Sequence, residues 1–213
     1  WVAPPSAEAF TGILISAPRG DLASPMGTAA QGAVSYFAGD SLPSGSRIVG
    51  EPTLRLVDSD QEKPNSEGNL GMGIWSGRGD YDSNGGSAPF SLISQPVSAQ
   101  NLMGNAPSCR IYLLPNDELF STTESEIRSV ATKRSAVPCD KYASYGTVMT
   151  GLFYDFEEEQ EYWSAVGVPG YAESVRYSDQ GAVHLLNWRE EPSEEGGEDS
   201  GPLLVEYAPT KDA

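Results

Sequence analysis

The residues best placed to do chemistry form one run, Gly77-Arg78-Gly79-Asp80-Tyr81-Asp82-Ser83-Asn84-Gly85-Gly86, with four glycines and three Asp or Asn side chains around an Arg-Gly-Asp triplet. On an exposed turn, Arg78 and Asp80 present a guanidinium and a carboxylate to a partner across Gly79, with Tyr81 beside them. Asp80-x-Asp82-x-Asn84-Gly85 also matches the first half of a calcium loop. Counted from Asp80, however, the twelfth position is Ser91 where a bidentate Glu is needed, so no metal is expected. The plain alternative is a hairpin connection, its glycines at positive φ and its Asp and Asn closing Asx-turns. Either way residues 77–86 are expected on the surface between two strands. A second triplet, Arg19-Gly20-Asp21, follows Pro18.

Catalytic chemistry finds little support. The single His184 lies in the strand-like Ala182-Val183-His184-Leu185-Leu186, where alternation turns it away from the side faced by Val183 and Leu185, which suits a structural role. Nucleophile-elbow, phosphate-loop and dinucleotide fingerprints are missing, and no pair among the 30 carboxylates is singled out for a glycosidase. The expectation is a protein that is not an enzyme and needs no cofactor. Aromatic rings at strand ends could instead stack on sugars: Trp75 and Trp188 read as core, and Tyr162-Trp163, after an acidic run, as the exposed pair. The candidate receptor-binding residues are therefore Arg78, Gly79, Asp80, Tyr81, Arg19, Asp21, Tyr162 and Trp163.

What must position these residues is a β scaffold. The chain has 213 residues with 23 Gly and 16 Pro, more punctuation than helices tolerate, and 38% hydrophobic residues, enough for a packed interior. Strands are expected at residues 11–16, 32–37, 47–57, 70–75, 89–97, 109–114, 142–156, 171–177, 182–188 and 203–207. One helix is expected over 121–133, from a Ser121/Glu124 capping box and the spacing of Ile127, Val130 and Ala131. The fold class is thus all-β, a compact barrel or sandwich of many short strands with long loops and one short helix. Residues 1–9 read as an extended lead-in, 10–208 as one domain and 209–213 as a tail. The opening Trp1-Val2-Ala3-Pro4-Pro5, without an initiator Met or the regions of a signal peptide, is expected of a domain excised from something larger.

A net charge of −17 sets the chain against phosphate backbones and anionic lipid, so neither nucleic acid nor membrane insertion is expected. Acid is concentrated late: 13 of the 30 Asp and Glu fall in residues 155–199, and residues 190–200 read as an acidic loop. A disulfide between Cys109 and Cys139 would enclose 29 residues, but two lone cysteines in a chain of this size read first as small buried hydrophobes.

An excised β-rich segment of this size, its Pro-rich opening, its sparse Cys and His and the acidic course from Asp155 to Asp199 together resemble the astrovirus capsid spike, especially the avian type. The likeness is one of character over the whole chain, and no receptor site carries over from it. It implies a homodimeric projection on the virion surface, built on a small β-barrel with decorated loops, that binds a host-cell receptor of protein or glycan nature and is seen by antibodies. The alternatives are an extracellular carbohydrate-binding β-sandwich and a phage receptor-binding tip.

Overall fold

In the computed structural model the described residues are 12–18, 32–38, 51–57, 69–79, 81, 88–96, 108–120, 126–129, 134–138, 142–156, 159–171, 181–188 and 202–208. They form three four-stranded sheets and one two-stranded ribbon. The first sheet is built from β1 (Gly12–Ala17), β2 (Ala33–Ala38), β3 (Leu54–Val57) and β7 (Glu126–Ser129), in that order. The second has the order β4 (Ile74–Gly79), β5 (Ala88–Gln95), β6 (Ser108–Pro115), β8 (Arg134–Pro138). In the third, β10 (Met149–Phe156), β11 (Glu159–Val168), β13 (Ala182–Asn187) and β14 (Leu203–Tyr207) follow one another. The ribbon joins β9 (Tyr142–Ala143) to β12 (Gly170–Tyr171). All neighbours within these sheets run antiparallel except β3 and β7, which pair in parallel with Leu54 opposite Glu126.

The second sheet is the middle of the stack. Successive strand residues face opposite sides, and here both sides are covered, so β5 is buried from Pro89 through Gln95. Leu92, Ile111 and Leu113 pack with Val166, Leu186 and Trp188 of the third sheet. Their immediate neighbours Ile93, Tyr112 and Leu114 pack with Val34, Tyr36, Leu54 and Leu56 of the first. Polar residues caught in this layer are hydrogen-bonded, as burial requires. Ser94 Oγ accepts from the Gly73 amide at 2.7 Å, and Tyr112 donates to Gln95 Oε1 at 2.7 Å. The turn between β9 and β10 wedges against this layer: Gly146 has φ +76°, and its amide donates to the Gly167 carbonyl at 3.0 Å.

The all-β, sandwich-like class is as read from the sequence, while three local expectations are corrected. The expected helix over 121–133 is not what forms. Glu126–Ser129 is a strand on the β3 edge, β8 starts at Arg134, and the only helix among the described residues is α1 (Asn116–Phe120). Helical spacing of three apolar residues is a local signal, and pairing with an open sheet edge overrides it. Two strands, β8 and β11, were not expected; β11 starts inside the acidic run before Tyr162-Trp163. Third, Cys109 is disulfide-bonded and no cysteine among the described residues is free, so the buried-thiol reading fails for Cys109. The chain's one other cysteine is Cys139, two positions beyond the Val137 that faces Cys109 across β6 and β8.

Candidate functional site

The run 77–86 divides between strand and connection. Gly79 pairs with Ala88, so β4 and β5 form a hairpin joined through residues 80–87. Residues 77–79 therefore belong to β4, which corrects the expectation that the whole run is a surface loop. Arg78 is exposed and Gly79 is buried. Tyr81 is only 8% exposed, its ring edge-on to Phe90 with centroids 5.4 Å apart, so it is a core residue and not a displayed one. Gly77 has a packing reason: the Trp75 indole lies across it, where a Cβ would collide with the ring, and also packs on Phe90, centroids 5.5 Å apart. Ser91, the would-be closing ligand of a calcium loop, is fully buried in β5. Its hydroxyl lies 2.8 Å from Ser76 Oγ and donates to Asn116 Oδ1 at 2.7 Å. A loop closing at residue 91 is therefore ruled out by the strand itself.

Of the other candidates, Tyr162 and Trp163 fall among the described residues, in the third sheet. Arg19, Asp21 and Asp80 lie outside the described residues, as do the acidic stretch 190–200, the lead-in and the tail. Tyr162 belongs to β11, but its side chain is not among those described. Trp163, next to it, is half-buried. Trp188 is core, 2% exposed, and its Nε1 donates to Ser164 Oγ at 3.0 Å.

Sequence reasoning missed a polar cluster inside the third sheet. His184 is fully buried and faces Glu206 across β13 and β14, with Nε2 and Oε2 3.1 Å apart. A carboxylate can only accept, so Nε2 carries the hydrogen when Glu206 is ionised. The other oxygen, Oε1, accepts from the Tyr171 hydroxyl at 3.3 Å, and the Tyr145 ring meets the imidazole edge-on with centroids 5.4 Å apart. The arrangement orients an imidazole and ties the outermost strand to the ribbon. Its members include two tyrosines, a glutamate and the histidine. Among the described residues no group of three or more His, Cys, Asp or Glu could hold a metal ion. Nor is any described helix long and apolar enough to cross a membrane. The glutamate in the otherwise apolar Leu-Leu-Val-Glu-Tyr of β14 was the available signal, since it alternates to the same side as His184.

With Glu206 and His184 turned inward, the opposite face of the third sheet is mostly apolar from Gly167 to Trp163 on β11, ahead of Glu161 and Glu159 on the same side. One row across it reads Gly167, Val183 and Tyr207, with Val148 beside Gly167. The next reads Thr150, Ala165, Leu185 and Val205. Trp163 and Asn187 begin a third. Val148, Val183 and Tyr207 are 69%, 43% and 61% exposed, so this face is open to solvent along its first row.

Fold and site together define an all-β, sandwich-like protein. Comparison with protein-family models, with curated proteins and with solved structures found no match to this chain.

Proposed function

We propose that the chain is an attachment domain of the viral projection kind, a capsid spike domain that works without catalysis. In this reading it is a homodimer on the virion surface, holding loops toward a host-cell receptor and exposing them to antibodies. The observation that carries the reading is where the scaffold spends its polar chemistry. His184, Glu206, Ser91 and Asn116 are bonded to one another in structural pairs. Arg78 is exposed one residue before the end of β4, where the hairpin leaves the sheet. Binding groups on a rigid β scaffold fall at such strand ends and loops. The disulfide at Cys109 supports an oxidising, extracellular setting.

The test is attachment to susceptible cells by the purified chain and by Arg78→Ala with Asp80→Ala. Attachment is expected to fall at least about fivefold with the fold intact, the loss of one charge-assisted contact. Unchanged attachment would remove the hairpin from the site. A second reading, an extracellular carbohydrate-binding module, is favoured by half-buried Trp163 and exposed Tyr207, since flat rings stack on sugars. Selective binding on a glycan array that is lost in Trp163→Ala, by a chain that stays monomeric, would decide for it.

A further inference from the structure

We infer that the outward face of the β10-β11-β13-β14 sheet is the surface on which a second copy of this chain docks. The inference rests on the homodimeric reading above and assigns that dimer a face. The sheet carries apolar residues on both sides. Its inward side joins the core through Val166 and Leu186 and also holds Ser164, His184 and Glu206, which satisfy one another or Trp188. Its outward side presents Gly167, Val183 and Tyr207 in one row and Ala165, Leu185 and Val205 in the next. A half-solvated antiparallel sheet normally alternates apolar in and polar out, whereas here the outward rows are apolar as well. One residue in five of the chain is charged, yet no described position in the three rows from Gly167 to Trp163 carries a formal charge; Glu161 and Glu159 follow on β11 beyond Trp163, at the edge of the patch.

Three considerations select a second copy as the occupant. The first is area. Strands about 4.8 Å apart and rows about 6.8 Å apart make the patch roughly 20 Å by 20 Å, or about 400 Å². That is half of the about 800 Å² each partner buries in a stable complex, and the size of the desolvated centre inside a polar rim. The second is charge. A basic partner would be met by the acid that this chain of net charge −17 carries elsewhere, not by the neutral face. Two like-charged copies can meet closely only where neither presents charge. The third is shape: two sheet faces stack about 10 Å apart with strands nearly aligned, and a twofold axis through the patch sets each row against the same row of the other copy. Small side chains at Ala165 and Gly167 leave room for that approach on β11.

Salt gives the reading a signature. Apolar contact between two polyanions tightens as salt rises, whereas a complex made by opposite charges loosens. Sedimentation velocity on the whole chain from about 1 to about 300 μM, at 0.05 and 0.5 M sodium chloride, reads this directly. A dimer with Kd of order tens of micromolar is expected at the higher salt, as suits a patch at the small end of stable interfaces. Its Kd should be several-fold weaker at the lower salt. Val183→Glu and Tyr207→Glu should each weaken it at least about tenfold, because a carboxylate would be buried against its own copy. Met72→Glu, at a residue 47% exposed outside this sheet, should leave it unchanged. A chain monomeric at every concentration overturns both the inference and the dimeric part of the proposed function. A dimer indifferent to Val183→Glu and Tyr207→Glu overturns the assigned face and leaves the dimeric reading standing. Urea midpoints provide the control: if Val183→Glu unfolds the monomer, the face is covered by the chain itself and the inference fails.

Discussion

Gly146→Ala, set beside Gly181→Ala, separates backbone strain from close packing at the turn that wedges against the middle sheet. Both glycines have positive φ, +76° and +72°, so each substitution carries the cost of placing an L side chain in the left-handed region, about 1–2 kcal/mol. Only one position is crowded. A Cβ at Gly146 would collide with Ile111 Cδ1 and stand 2.7 Å from Ser94 Cβ. At Gly181 it would meet nothing among the described residues nearer than the Val168 carbonyl at 3.9 Å. Ile111 is fully buried, so it can yield only by displacing its neighbours, and overpacking of this kind costs about 1–3 kcal/mol more. Gly181→Ala is therefore expected to lose about 1–2 kcal/mol and Gly146→Ala about 2–5. In a domain of this length that is a difference in Tm of several degrees, at about 2–4 °C per kcal/mol. Urea unfolding with a common m-value gives the two free energies. Equal losses would show that the turn does not press on Ile111, and the wedge between the second and third sheets would be wrong.

Two further outcomes follow from burial and hydrogen bonding. Leu92→Ala and Ile93→Ala change adjacent residues on opposite faces of one strand, and each should cost about 2–4 kcal/mol because each is fully buried in a different cluster. If either costs less than about 0.5 kcal/mol, like an ordinary surface change, the middle sheet has only one covered face. Glu206→Ala should destabilise the fold by about 1–3 kcal/mol, because it strands the buried His184 Nε2 and the Tyr171 hydroxyl. His184→Phe combined with Glu206→Leu should recover part of that loss, since the imidazole that needed the carboxylate is gone and only the Tyr171 hydroxyl still lacks that acceptor. No recovery in the double variant would point to cavity effects as the cause.

The β class was legible because glycine, proline and alternating apolar residues act locally, and strands such as β5 and β6 announce themselves over eight residues. The hairpin was legible for the same reason. What sequence could not show was what only pairing decides. Residues 126–129 have helical spacing, but β3 offers them an edge 72 positions upstream. Tyr81 looks like part of a displayed loop until Phe90, returning along β5, supplies a ring to pack on. The outward face of the third sheet was also hidden, because neither β11 nor its register with β13 is marked locally. Trp163 was singled out as a candidate residue for its acidic neighbours, not for the face on which the register places it.

The parallel pair of β3 and β7 bears on how the chain assembles as it is made. β3 has one neighbour in β2, and its other edge waits for residues 126–129. Between them the chain must lay down β4, β5 and β6, three of the four strands of the middle sheet. A nascent chain released only as far as residue 125 thus carries β3 with an unoccupied edge, a template for strands of other chains. The clasp also makes a contact of large sequence separation, the kind that slows folding because loop closure is paid before the pairing is gained. Refolding should therefore be slow and lossy at high protein concentration, and the vulnerable interval during synthesis ends when β7 clears the ribosome and seals the first sheet.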